Sequence, residues 1–171
     1  GGPLAVFDGR IAGDSIAGTF MQGAVAGTFS LTRTRVQPAP PYREEEVSVT
    51  NGDITLAGTL TIPRGTGPFP VAVLITGSGP QDRDEDVLGF KVFRVIADYL
   101  TRQGVAVYRY DDRGVGRSTG RLDVATTADL AGDALAAIAK LKTRTDIDGR
   151  HIGLLGHSEG ATAAAIAAGR S

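Results

Sequence analysis

The sequence predicts an α/β fold: a mostly parallel sheet with flanking helices, entered through an antiparallel hairpin and preceded by a smaller β-rich segment. Three patterns carry this expectation. From residue 71 onward, short apolar runs alternate with helical patterns, as in βαβ units whose strands are covered on both faces. Before them, two alternating runs flank Asn51-Gly52, a strong hairpin turn signal. At the start, Ile16-Ala17-Gly18-Thr19-Phe20 recurs nine residues later as Val25-Ala26-Gly27-Thr28-Phe29. Each copy sets a branched residue, Gly and Phe on one face of a period-2 strand.

In chain order, residues 1–36 read as β structure with a turn at Gln22-Gly23-Ala24. A single hairpin is marginal in water, so this stretch is expected to be the tail of a larger β-rich domain. Residues 37–43, with Pro38, Pro40 and Pro41, read as a stiff linker. Residues 44–171 form the α/β portion. Val47 and Val49 alternate before the Asn51-Gly52 turn, and Ile54, Leu56, Gly58, Leu60 and Ile62 continue after it. Val71–Ile75 predicts a buried parallel strand. Phe90, Phe93, Ile96, Ala97 and Leu100 mark one face of a helix ending near Gly104, and Val105–Tyr108 a second buried strand. Thr126 with Asp129 resembles a capping box opening a helix over Leu130, Ala134, Ile138 and Leu141, with Lys140 and Lys142 in its last turn. His151–Leu155 predicts a strand and Ala161–Ala168 a helix of small residues.

Composition narrows the function. Of 171 residues, 42% are hydrophobic and 22% charged, which excludes bulk disorder. Eighteen basic against 19 acidic side chains leave a net charge of -1, which argues against a nucleic-acid or anionic-membrane surface. The chain has no Cys, so disulfides, thiolate-metal sites and a Cys nucleophile are excluded, and only two His, His151 and His157. No apolar run approaches the ~18 residues of a membrane span. Gly1-Gly2-Pro3 runs into strand-like sequence without Met or a leader pattern, so the native start is expected upstream and localisation is left open.

Gly156-His157-Ser158-Glu159-Gly160 fits G-x-S-x-G between a predicted strand and helix. A sharp strand-to-helix turn brings its flanking backbones together, so Gly is required on both sides of the Ser. The turn lifts the Ser158 hydroxyl clear of the sheet at a helix N-terminus, where the Glu159 N–H faces developing negative charge. After the first buried strand, Thr76-Gly77-Ser78-Gly79-Pro80 offers a second such N–H, from Ser78 or Gly79. Asp111–Ser118 (DDRGVGRS) is not a dinucleotide fingerprint, because its third Gly, Gly120, comes one residue late. Asp112 and Arg113 are instead expected to join a buried Asp–Arg and backbone network under the site. Gln81–Asp86 is expected to be a mostly solvated, internally paired charge run; it lacks the spacing of a calcium loop.

The order GSGPQDRD (77–84), DDRGVGRS (111–118) and GHSEG (156–160) resembles the α/β-hydrolase superfamily, and within it bacterial serine esterases with an N-terminal β domain. The resemblance covers residues 44–171 as the N-terminal half of the catalytic domain. It implies that Ser158 is the nucleophile, that the Ser78 and Glu159 N–H groups form the oxyanion hole, and that a small carboxylic ester is the substrate, with no cofactor or metal. Peptidase or acyltransferase activity of the same fold, or a non-catalytic binding fragment, are the alternatives. The family's triad acid and His follow the elbow well downstream, whereas only 13 residues follow Ser158 here. Both are therefore expected from outside residues 1–171, in a continuation of the gene product or a second chain, and the fragment alone is expected to be inactive. That remainder, and a second copy of the chain, are the protein partners this reading admits.

Overall fold

The computed structural model describes residues 3–33 and 39–171, which divide into two compact units, Gly1–Ala39 and Pro40–Ser171. The first unit is a three-stranded antiparallel meander: β1 (Ala5–Ala12), β2 (Ser15–Gln22) and β3 (Val25–Thr32). The predicted hairpin is thus its second half, and β1 adds a third strand on the other edge of β2. Register explains the repeat. Gly18 lies opposite Phe29 and Phe20 opposite Gly27, so each ring lies across from the other copy's Gly. Phe7, opposite Phe20 on β1, stacks on Phe20 at 5.8 Å and meets Phe29 edge-on at 5.4 Å. Aromatic cross-strand packing, rather than burial, therefore organises this sheet.

Of the predicted linker, Gln37 and Pro38 lie outside the described residues, and Tyr42 and Arg43 already belong to β4 (Tyr42–Asn51). β4 pairs with β5 (Ile54–Pro63) across the Asn51-Gly52 turn, Gly52 taking a φ of 58° that suits it. Next come β6 (Phe69–Ile75), two two-residue strands, β7 (Asp86–Val87) and β8 (Phe90–Lys91), and α1 (Val92–Arg102). β9 (Ala106–Tyr110), α2 (Thr127–Lys142), β10 (Ile147–Gly156) and α3 (Glu159–Ala168) complete the chain. The main sheet has the order β10-β6-β9-β5-β4, parallel among β10, β6 and β9 and antiparallel through β5 and β4.

Strand alternation distributes the helices. Val71 and Val73 face Ala137 and Leu141 of α2, and Ile75 faces Ala134 of α2 and Ala163 of α3. Leu74 and Val107 point the other way, onto Phe93 and Ala97 of α1. The small residues of α3 let it lie close against α2, Ala163 and Ala167 meeting Ala131 and Ala134. Thr126 caps α2 with the reciprocal Asp129 bonds expected. The helix at α1 starts later than its apolar face suggests: Phe90 sits in the β7–β8 ladder and is 60% exposed. β10, by contrast, begins earlier than predicted, at Ile147, placing His151 within it at a break in register with β6.

Candidate active site

Three loops meet at the C-terminal ends of β6, β9 and β10. The turn after β10 puts Ser158 at φ 51°, ψ −118°, a conformation costing a non-glycine residue about 1–3 kcal/mol. It persists because the residues two positions away on either side are Gly in contact with backbone: a Cβ on Gly156 would overlap the Gly160 carbonyl, and one on Gly160 the carbonyls of Ile75 and Thr76. His157 N–H donates to Ile75 O at 3.0 Å, tying the turn to β6, and the Ser158 side chain is exposed.

Across from it runs the loop after β6. Gly77 N–H donates to Glu85 Oε1 at 2.9 Å, while Ser78 N–H and Glu159 N–H have no acceptor among the described residues. Gly79 adopts φ 91°. The Glu159 carboxylate accepts from Thr127 Oγ1 at 2.7 Å, and bonds from Thr127 and then Ser78 hold its pKa below the ordinary value. Beside these groups a cavity of about 550 Å³ is walled by Gly77, Pro80, Val115, Leu122, Leu130 and Glu159. A second groove, of about 610 Å³, runs along β10 by Ile152, Leu154 and Ala164; none of its lining residues comes from the Ser158 turn.

Beneath the loops, Asp111-Asp112-Arg113 grips three different elements. Asp111 takes a two-pronged bond from Arg83, at 2.9 and 2.8 Å. Asp112 accepts from Thr76 Oγ1 at 2.6 Å and from Gln81 N–H at 3.0 Å, so it braces the loop carrying Ser78. Burial pushes its pKa up to about 6, these two bonds opposing the rise and the nearby Asp133 and Glu85 carboxylates adding to it. Arg113 does not pair with Asp112: its guanidinium forks onto Asp133 of α2 at 2.8 and 2.7 Å. Ser118 locks the same loop to β5, accepting from Ala57 N–H and donating to Asp111 O.

The charge run 81–86 departs from the solvated loop that was expected. Asp84 and Glu85 are buried, 8% and 1% exposed. Asp84 binds Arg109, a buried cation inside the apolar β9, at 2.9 Å, and Lys91 at 3.1 Å. Burial raises the Asp84 pKa, but these two cations outweigh it and hold the carboxyl below its usual value. Arg109 within Val105–Tyr110 was the signal for a buried acid nearby. Glu85 binds His157 Nδ1 at 2.7 Å, and His151 binds Asp148 at 2.8 Å, so neither imidazole is bonded to Ser158. Among the described residues no acidic or His cluster is arranged to hold a metal ion.

A family model described as serine aminopeptidase, S33, matches residues 90–171. The chain is similar to Esterase EstD of Thermotoga maritima, 38% identical over 143 residues, covering 82% of this chain and 34% of that protein. A Mycobacterium tuberculosis protein provisionally named as a phosphoribosyl transferase is 32% identical over 129 residues, covering 75% of this chain and 27% of that one. The chain thus spans between about a quarter and a third of the length of these curated relatives. Among solved structures, the α/β hydrolase GrgF from Penicillium sp. sh18 superposes with a TM-score of 0.65 at 23% identity, over 75% of this chain and 42% of that one. Motif order, sheet and relatives agree: the chain has part of the α/β-hydrolase fold and resembles that superfamily.

Proposed function

We propose that this chain carries the nucleophile and oxyanion hole of a serine hydrolase acting on small carboxylic esters. The observation that carries the reading is Ser158, held at positive φ on a glycine-flanked turn beside two backbone N–H groups, Ser78 and Glu159, that have no acceptor among the described residues. In this reading Ser158 Oγ attacks the acyl carbon as a His takes its proton. The carbonyl π electrons move to oxygen, and the two N–H groups bind that oxyanion. Collapse breaks the ester C–O bond, and the His delivers its proton to the leaving alkoxide. Water, deprotonated by the same His, then attacks the acyl-enzyme, and Ser158 recovers its proton as the acid departs. With His157 on Glu85 and His151 on Asp148, the base and its acid come from outside residues 1–171.

The cavity beside Glu159 supports a small, largely apolar ester group. The Thermotoga relative's name favours an ester, while the family model's description favours an aminoacyl substrate. The name of the Mycobacterium relative describes a protein of which the match covers 27%, and does not carry over. The test is p-nitrophenyl acetate turnover against aminoacyl p-nitroanilide turnover by the natural full-length protein. Ester hydrolysis lost at least about a thousandfold in a folded Ser158→Ala variant is expected. Retained turnover there overturns the serine mechanism, and anilide turnover exceeding ester turnover replaces the ester with a peptide.

A further inference from the structure

We propose that Glu85 is a positioning residue: it clips the oxyanion loop to the nucleophile turn and thereby sets the gap in which the ester carbonyl reacts. This rests on the serine-hydrolase reading. One oxygen, Oε1, serves both sides of the gap. It accepts from Gly77 N–H at 2.9 Å on the loop after β6, and from His157 Nδ1 at 2.7 Å on the turn before α3. With its N–H occupied, Gly77 is pinned on one side, while Thr76 is pinned on the other by Asp112. The next N–H along, that of Ser78, is left for the oxyanion. On the far side His157 is the immediate neighbour of Ser158, and its own N–H is fixed on Ile75 O.

The fit at this clip is tight. A Cβ placed on Gly77 would come within 3.1 Å of His157 Nδ1, 3.2 Å of Glu85 Oε1 and 3.3 Å of Ser158 Cβ. Loop and turn therefore meet so closely that a methyl group on Gly77 would push its neighbours by a few tenths of an ångström, and a small change in the clip shifts the N–H donors relative to Oγ. Holding Glu85 in place is costly. Its backbone adopts φ 49°, its side chain is almost fully buried, and Oε2 has no hydrogen-bond partner among the described residues. A leucine would fill the space without that penalty but could not tie Gly77 to His157. Oxyanion catalysis depends on donor placement, and a displacement of about 1 Å costs on the order of a hundredfold in rate.

The test uses the natural full-length protein, p-nitrophenyl acetate, and fluorophosphonate labelling of Ser158. Glu85→Leu is expected to lower kcat and the labelling rate about 10- to 100-fold, with KM within about twofold. Glu85→Gln, whose amide oxygen still accepts from Gly77 N–H, is expected to recover to within about fivefold of the natural rate. A folded Glu85→Leu with kcat within about twofold of the natural protein overturns the role, as does Glu85→Gln no better than Glu85→Leu. Should Glu85→Leu fail to fold, His157→Ala carries the test, because that imidazole is 62% exposed. A fall of about tenfold in kcat at constant KM is then expected, and an unchanged kcat overturns the clip. Ser158→Ala separates the two ideas. Full turnover there sinks the serine mechanism and the clip with it, whereas an inactive Ser158→Ala beside a full-rate Glu85→Leu sinks the clip alone.

Discussion

Two arginine–aspartate pairs begin within eight residues of each other in the connection between β9 and α2, and they do different work. Arg113–Asp133 closes at 2.7 Å with side chains 10% and 1% exposed; Arg121–Asp123 closes at 2.5 Å with side chains 69% and 65% exposed. Separation does not distinguish them; burial does. In water an ion pair gains little over its hydrated parts, whereas a buried charge left without its partner is strongly penalised. The first pair fastens the loop 111–118 to α2 and so fixes the floor under Ser78 and Ser158. The second lies at the rim of the cavity, where neither charge depends on the other.

The largest effect expected from this contrast follows loss of Arg113. Arg113→Ala leaves the Asp133 carboxylate buried with only the Asn51 amide, at 2.7 Å, as a remaining side-chain partner. Breaking a buried pair from one side costs about 3–5 kcal/mol. A urea titration of the natural full-length protein and the variant checks this. A midpoint equal to that of the natural protein would show that Asp133 is readily hydrated, and the contrast between the two pairs would lose its basis.

Asp112 sharpens the same comparison, because it is buried without a cation. Its folded pKa of about 6 lies above its ordinary 3.8, so the native state binds the proton more tightly than the unfolded chain does. The sign follows: its contribution to stability is fully present below about pH 4 and is lost as the pH rises through about 6. A rise from 3.8 to about 6 corresponds to about 3 kcal/mol over that window. Asp84 and Asp111, held low by arginines, act oppositely, so the natural protein's own pH profile mixes both signs. Asp112→Asn removes one contribution, and its amide oxygen still accepts from Gln81 N–H. The variant is expected to gain stability relative to the natural protein between pH 4 and 7, measured as the difference in unfolding free energy. A flat difference would mean that burial does not raise Asp112.

These networks also divide what could be read from the sequence from what could not. The Asn51-Gly52 turn, the Thr126 cap and the glycine-flanked Ser158 turn are local: each is written within a few consecutive residues whose backbone geometry follows from their side chains. The partners in the floor are not local. Asp111, Asp112 and Arg113 look like one motif but reach to Arg83, Thr76 and Asp133, choices set by how β9 lies against β6 and α2. Glu85 and His157 stand 72 positions apart, and nothing near either names the other. The run 81–86 looked solvated because its composition is polar. Asp84 is buried because β9 delivers Arg109 beneath it, and Glu85 because it reaches Gly77 N–H and His157. β1 lies outside the repeat that marks the β2–β3 hairpin, so no local pattern paired it with the free edge of β2.

The smallest effect is expected at the exposed pair, and its smallness is the point. Arg121→Ala removes a guanidinium that meets Asp123 two residues away, through bonds at 3.0 and 2.5 Å. Both side chains are open to water, so Asp123 regains hydration as it loses its partner, and side-chain freedom returns to the arginine's position. The urea midpoint is expected to stay within experimental error of the natural protein's at low and moderate salt alike, since there is little attraction for salt to screen. Arg121 and Asp123 do line the cavity beside Glu159, so under the proposed ester hydrolysis any consequence falls on substrate binding: KM moves and kcat does not. A midpoint shift rivalling that of Arg113→Ala would show that the 111–125 connection acts as one cooperative clasp, and that burial alone does not rank its ion pairs.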